Sequence, residues 1–168
     1  METSIPINDI FFRLITLLLI IGIALTGFLA ALTNLSEPQS NFAFIKHIMS
    51  MDTTYQTKGC MWRAVNNPIL QRTAFSFIII LEILVAIFGI IGSYQLTSNL
   101  LAIEPAWETA KFFCYLSLFV ALFIWFFIFQ VIGAEWFSSW QSEHWNGIRD
   151  SMRINLIAIA GVLFLHLS

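Results

Sequence analysis

Residues 69–94 of the chain read ILQRTAFSFIIILEILVAIFGIIGSY, with a single carboxylate, Glu82, in the middle of the stretch. A transmembrane helix needs about 20 mostly apolar residues, so this stretch is long enough to cross a bilayer. An ionisable side chain is costly inside a membrane and commonly marks a function or a specific polar contact. The stretch therefore predicts a membrane-spanning helix with an intramembrane polar site at Glu82.

The composition of the whole chain indicates the same class of protein. Of 168 residues, 58% are hydrophobic and 11% are charged, with a mean hydropathy of +0.81. Soluble domains carry about a quarter charged residues. The net charge is −2 and the eight Lys and Arg residues are scattered, so no basic patch for nucleic acid is present. We expect an integral membrane protein in contact with the lipid bilayer, with no nucleic-acid partner.

Four segments have the length and composition of membrane spans. They run from about 12 to 32, 69 to 94, 107 to 132 and 151 to 168. The fourth is short, and it crosses only if Arg149 and Arg153 extend their charged groups to the interface. No linker or internal repeat interrupts the chain, so we expect one domain, residues 1–168. The predicted fold is all-α: a polytopic membrane protein built as an antiparallel four-helix transmembrane bundle.

Small and weakly polar residues recur on one face of each of the first three spans, as they do where membrane helices approach closely. The three sets are Gly22, Thr26 and Ala30; Glu82, Ala86, Gly89 and Ser93; and Ala110, Cys114, Ser117 and Ala121. We expect these faces to meet, and the Phe-rich remainder of the third span to face lipid. Glu82 is then expected to be protonated, or paired to Thr26, Ser117 or Asn155, and to act as a hydrogen-bond anchor between helices.

The connections on the two sides of the membrane differ in content. Side A holds the connection between the second and third spans, residues 95–106, which looks like a plain turn. Side B holds the first and third loops, residues 34–68 and 133–149. In the first loop, residues 42–51 and 60–65 have the pattern of short interfacial helices. In the third loop, a helix continuing from the span would align Trp136, Trp140 and His144 and end at Asn146-Gly147.

The side-B loops also contain the residues best suited to binding. They are His47, Asp52, Trp62, Arg63, Glu135, Trp136, Trp140, Gln141, Trp145 and Asn146. Single Trp residues at headgroup depth ordinarily anchor a protein in the membrane. A cluster of aromatic and amide side chains can in addition bind a lipid headgroup, a sugar, a cation or a partner helix. We take this face as the candidate binding surface.

Several motifs on side B are similar to those of a known family. They are NFAFIKH at 41–47, MSMDTT at 49–54, MWRA at 61–64, and EWF, WQS and WNG within residues 133–147. Together they resemble the bacterial family of predicted small integral membrane proteins, over nearly the whole chain. That family usually has a second glycine where this chain has Ala134. The resemblance implies a bacterial membrane protein, and it implies no particular activity.

The distribution of Lys and Arg predicts the orientation. Side B has Lys46, Lys58, Arg63, Arg72, Arg149 and Arg153, whereas side A has Arg13 and Lys111. Positive residues in short loops stay in the cytoplasm. We therefore expect a multi-pass protein of the bacterial inner membrane, with loops 34–68 and 133–149 cytoplasmic and both termini periplasmic.

Three functions fit these features. The first is a non-enzymatic accessory or scaffold subunit that binds another membrane protein, or copies of itself, through the side-B face. The second is a small transporter or proton-linked permease that uses Glu82, which with four helices would require an oligomer. The third and most remote is a membrane enzyme or metal site. Its candidate residues, His47, Asp52, Glu135 and His144, lack a zinc-enzyme spacing. No catalytic residue, metal site or cofactor is assigned.

Overall fold

The computed structural model describes residues 5–168, and the elements of this part of the chain are helical. They are α1 (Ile7–Ser36), α2 (Pro38–Ser50), α3 (Lys58–Met61), α4 (Pro68–Ser98), α5 (Glu104–Ala110), α6 (Phe112–Leu122), a π-helix (Phe123–Trp136), a 3₁₀ turn (Ser139–Gln141) and α7 (Ile148–Leu167). The helices α5 and α6 and the π-helix continue into one another as a single rod, Glu104–Trp136.

Four helices are long and apolar enough to cross a membrane, namely α1, α4, the rod and α7. The prediction of an all-α membrane protein with four spans is thus confirmed. Each helix also begins before the apolar stretch predicted for it, and the first three continue beyond it. The reason is that hydropathy detects the part of a helix that lies in hydrocarbon, whereas the helix itself continues through polar residues at the interface.

Helices α1 and α4 run antiparallel and pack through glycines. A Cβ added at Gly27 would lie 2.8 Å from Val85 Cβ, and one added at Gly89 would lie 2.5 Å from Ala24 Cβ. The prediction that Gly22 belongs to this face is wrong, since Gly22 is exposed with nothing within 4 Å of an added Cβ. A strict spacing of four drifts around a helix of 3.6 residues per turn, so the buried line passes through Gly27 instead.

The rod packs against α4 by its small residues, as predicted. Ala110, Cys114, Ser117 and Ala121 are all buried. The Ser117 hydroxyl donates a hydrogen bond to the Val85 carbonyl oxygen at 2.9 Å. On the opposite side, Phe112, Phe119, Phe126 and Phe127 are exposed, which agrees with the predicted lipid-facing side of this helix.

Helix α7 completes the bundle only over part of its length. It has 20 residues, against 30 in α1 and 31 in α4, so it is shorter than they are by about 15 Å at 1.5 Å per residue. The Thr16 hydroxyl of α1 donates to the Phe164 carbonyl oxygen of α7 at 3.1 Å, which sets the side-A end of their contact. Near side B, the bundle therefore lacks its fourth helix, and α2 lies over the gap that α7 leaves.

We call residues 38–67 and 135–147 together the cap, since they cover the side-B end of the bundle. The short interfacial helices predicted in the first loop correspond to α2 and α3. The predicted continuous helix in the third loop is wrong. The π-helix ends at Trp136, and Ser138 has a left-handed φ of 53°, a conformation that breaks the helix. Trp140 and His144 therefore do not continue the face of Trp136.

Side A is not the plain turn that was predicted. Arg13 is buried and donates to the carbonyl oxygens of Leu100 and Ala102 at 2.9 and 2.8 Å. Its guanidinium carbon lies 4.5 Å from the centre of the Trp107 ring. Lys111, also buried, places Nζ 2.6 Å from a Glu108 carboxylate oxygen. The two side-A cations are thus used to satisfy the chain's own carbonyl and carboxylate groups.

Candidate functional site

The two loops of the cap are joined at several places, and the first is a histidine stacked on a tryptophan. The His47 ring of α2 lies parallel to the Trp145 ring of the third loop, with centroids 4.4 Å apart and planes 12° apart. His47 Nδ1 is also 2.7 Å from a carboxylate oxygen of Asp52. This contact orients the imidazole, so Asp52 supports the contact that His47 makes between the two loops.

The second junction is built around Arg63. Its guanidinium donates to the Ser138 hydroxyl at 3.0 Å and to the Glu135 carbonyl oxygen at 3.3 Å. Next to it, the rings of Trp62 and Trp136 meet edge to face with centroids 5.6 Å apart. Arg63 therefore fixes the end of the π-helix, and Glu135 contributes its backbone while its side chain stays at the surface.

The third junction uses an amide and a second aromatic pair. The backbone N–H of Tyr55 donates to the Gln141 side-chain oxygen at 3.0 Å, and the Tyr55 and Trp140 rings meet edge to face at 6.3 Å. Asn146 accepts the Ile148 backbone N–H at 3.1 Å, which helps to start α7. The predicted binding residues of side B are thus in the cap, where several hold it together.

Two properties of the cap bear on its chemistry. Trp62, Trp136 and Trp140 remain 71, 47 and 48% exposed, so the junctions leave an aromatic rim at the surface. The residues proposed for a metal site are not assembled. Within residues 5–168, no three His, Cys, Asp or Glu side chains form a group that could hold a metal ion. His144 is exposed on the third loop, apart from the stacked His47.

Glu82 is held by a residue that was not predicted as its partner. The side chain is 4% exposed, and Asn34 Nδ2 donates to its Oε2 at 2.7 Å. The three predicted partners do not bond to Glu82. Thr26 donates to the Gly22 carbonyl oxygen and Ser117 to that of Val85, and the buried Asn155 amide has no hydrogen-bond partner among residues 5–168. The sequence did hold a signal, because Asn34 continues the spacing of Thr26 and Ala30.

Glu82 lines a cavity of about 670 Å³ beneath the cap, which we call the polar cavity. Its walls come from α1, α2, α4, the π-helix and the start of α7. The lining residues are Thr26, Leu29, Ala30, Thr33, Asn34, Asn41, Phe44, Ile45, Phe75, Ile78, Glu82, Trp125, Phe129, Asp150, Arg153 and Ile154. The polar cavity occupies the gap that the short α7 leaves in the bundle.

The polar cavity has a polar base, aromatic walls and a charged rim. The buried Glu82 and the partly buried Asn34 form its base, and Thr33, Asp150 and Arg153 are exposed residues at its edge. These three lie near the side-B ends of α1 and α7. Towards side A, the close contacts of α1 with α4 at Gly27 and Gly89 leave no space. The polar edge of the cavity therefore lies at its side-B end.

A second cavity, of about 350 Å³, lies between α2, α4 and the π-helix, and we call it the apolar cavity. It is lined by Ile45, Ile48, Met49, Ala74, Phe77, Ile78, Phe123, Ile128, Phe129, Ile132, Gly133 and Phe137. Ile45, Ile78 and Phe129 line both cavities. π-Helical turns are rare and are frequent at functional sites, and here the π-helix contributes to the walls of both cavities.

A four-helix membrane-spanning bundle, capped on one side and with a ligand-sized cavity that reaches a buried carboxylate, defines a small polytopic integral membrane protein. The chain belongs to the family described as Predicted small integral membrane protein (DUF2165), whose model matches residues 12–168. This confirms the family resemblance of the side-B motifs. No curated protein and no solved structure matches the chain.

Proposed function

We propose that this protein is a non-enzymatic accessory or scaffold subunit of a membrane complex, and that it binds its partner through the cap. The observation that carries the proposal is the aromatic rim, in which Trp62, Trp136, Trp140 and Tyr55 are exposed while being held in two edge-to-face pairs. Tyr and Trp are among the residues that most often dominate the energetics of protein interfaces.

The rim is also suited to binding because contacts between the two loops hold its side chains in place. Each aromatic pair joins the first loop to the third, and the hydrogen bonds of Arg63 and Gln141 hold the backbones beside them. A surface that is already ordered loses less conformational entropy when a partner binds. The partner is another membrane protein or a second copy of this chain.

The orientation belongs to the same proposal, with the cap on the cytoplasmic side of a bacterial inner membrane. Both side-A cations, Arg13 and Lys111, are buried in contacts of the protein itself, whereas Lys46, Lys58 and Arg149 are exposed on side B. Positive charge in short loops is retained in the cytoplasm. A membrane-impermeant maleimide added to intact cells should leave Cys60 unlabelled. Labelling from outside would show that the protein has the opposite orientation.

The docking proposal is tested by affinity purification in a mild detergent after cross-linking in membranes. The informative variant replaces Trp62 and Tyr55 by Ala, and the matched control is Phe119→Ala, an exposed aromatic on the rod. We expect a protein that co-purifies with the wild type and the control but is lost from the cap variant. A partner that is retained by both variants, or no partner and no self-association, contradicts the proposal.

A second candidate function, a small proton-linked permease, is favoured by the polar cavity, because the cavity brings Glu82 within reach of side B. Such a cycle needs a second state open to side A, in which α1 and α4 separate near Gly27 and Gly89. Glu82→Gln distinguishes the two functions, since it should abolish a proton-coupled flux but leave cap-dependent binding intact.

A further inference from the structure

We infer that the polar cavity binds an organic cation, meaning an ammonium or phosphonium group attached to an apolar body, with the Glu82 carboxylate as its counter-ion. This inference goes beyond the proposed docking function and does not depend on it, because the cavity and the aromatic rim are separate features. It rests on the charge, the walls and the rim of the cavity.

Within the part of the chain that the structure describes, the carboxyl group at the base of the cavity has no cationic partner. Glu82 is 4% exposed, and within residues 5–168 its hydrogen-bond donor is the neutral amide of Asn34. The ion pairs of this part of the chain are His47 with Asp52 and Lys111 with Glu108, and neither involves Glu82. A buried charge is tolerated when it is paired. An incoming cation supplies the missing partner.

The walls suit a cation that carries apolar groups. Phe44, Phe75, Trp125 and Phe129 all line the cavity, and aromatic ring faces attract cations, with Trp the strongest of them. The same rings supply apolar surface for the rest of the ligand. The volume of about 670 Å³ lies within the range of about 300 to 1,000 Å³ that is usual for small-molecule sites.

The rim contains one charge of each sign, and the two have opposite expected effects. Asp150 and Arg153 are both exposed at the edge of the cavity and belong to the first turns of α7. A negative rim charge attracts a cation and a positive one repels it. Neutralising Asp150 should therefore weaken cation binding, and neutralising Arg153 should strengthen it.

The experiment measures equilibrium binding of radiolabelled tetraphenylphosphonium to the purified full-length protein in detergent, after subtraction of empty micelles. Tetraphenylborate, an anion of nearly the same shape, serves as the matched ligand. We expect saturable binding of the cation, weakened by about tenfold or more in Glu82→Gln, as is usual when one partner of a buried charge pair is removed. The matched control is Glu104→Gln, an exposed carboxylate on side A, which should bind like the wild type.

A second variant tests the same inference in case Glu82→Gln does not fold. Ala30 lines the cavity, so Ala30→Leu fills space while the carboxylate is retained, and it too should weaken binding. Helix content and monodispersity are measured for every variant. The inference is overturned if the wild type shows no saturable binding, if folded Glu82→Gln binds the cation unchanged, or if tetraphenylborate binds equally well.

Discussion

Asn34 Nδ2 donates a hydrogen bond of 2.7 Å to Glu82 Oε2 and so joins α1 to α4 at the base of the polar cavity. This is a contact between helices far apart in sequence, and it gives the buried carboxylate its donor within residues 5–168. Hydrogen bonds between membrane helices contribute on average less than about 1 kcal/mol, with a maximum near 2. The contact therefore contributes modestly to stability and chiefly sets the position of Glu82.

Replacement of Asn34 by Leu should lower the free energy of unfolding by about 1 kcal/mol, because the carboxylate loses its donor while the side chain keeps its branched shape and its number of heavy atoms. Unfolding in mixed detergent micelles measures the change. A double-mutant cycle with Glu82→Gln isolates the contribution of the pair. Equal stability of the wild type and Asn34→Leu would show that the hydrogen bond does not stabilise the fold.

Replacement of Asn155 by Leu should instead raise the free energy of unfolding. Asn155 is 3% exposed, and neither its amide nitrogen nor its amide oxygen has a partner within residues 5–168. A buried amide without a hydrogen bond costs about 1 to 3 kcal/mol. Asn155→Leu should therefore raise the unfolding free energy by about 1 kcal/mol in the same assay, and a decrease would mean that the amide has an essential partner.

The contrast between these residues shows where sequence reasoning about Glu82 stopped. Hydropathy ended the first span at residue 32, whereas α1 continues to Ser36. Hydropathy consequently places Asn34 in a loop, although its spacing from Thr26 and Ala30 places it on the same side of the helix. A fall in hydropathy marks where a helix leaves the membrane and not where the helix ends. Asn34, the partner of Glu82, therefore falls just outside the apolar stretch.

Two glycines provide a matched test of the packing of α1 against α4. A Cβ added at Gly89 would lie 2.5 Å from Ala24 Cβ and 3.0 Å from Ser117 Oγ, whereas nothing lies within 4 Å of one added at Gly22. Gly89→Ala should destabilise the protein by about 1 to 3 kcal/mol through overpacking. Gly22→Ala should be neutral or stabilise by up to about 1 kcal/mol through helix propensity.

Thermal unfolding of the two glycine variants measures this difference. A smaller effect at Gly89 than at Gly22 would contradict the arrangement of α1 on α4. The comparison is informative because the same atom is added to a membrane-spanning helix in both cases, so that only the surroundings of the new Cβ differ.

Cys60 should react as a thiolate at lower pH than an ordinary cysteine. Hydrogen bonding from the Thr57 side chain lowers the pKa of its thiol, and the nearby positive charge of Arg63 lowers it further. A lower pKa means more thiolate at any pH below the ordinary value, and hence faster alkylation. We expect Thr57→Val to move the midpoint of the pH–rate profile upward.

The alkylation measurement is made in a Cys114→Ala background, and the reciprocal Cys60→Ala protein is its control. Cys114 is fully buried in the helix interface and should react slowly at every pH. A midpoint for Cys60 that is the same with and without Thr57 would show that this hydroxyl does not stabilise the thiolate.

The cavity could not have been predicted from the sequence, although its chemistry was partly visible. Glu82 stands out as a lone carboxylate, but the space beside it arises because α7 is shorter than α1 and α4 and because α2 lies over the gap. Both of these relations involve helices that are far apart in the sequence. The same holds for Arg13, whose acceptors at Leu100 and Ala102 are 87 and 89 positions away, so that the sequence shows it only as a positive charge of side A.

The central claim is that water reaches the buried carboxylate of α4 from side B through the polar cavity. Single cysteines at Glu82, Ile83 and Ala86, in a protein without its native cysteines, are treated with a small water-soluble methanethiosulfonate. The account predicts rapid modification at position 82, and slow modification at the exposed apolar position 83 and the packed position 86. An unreactive cysteine at position 82, or equal reactivity at 82 and 83, would contradict it.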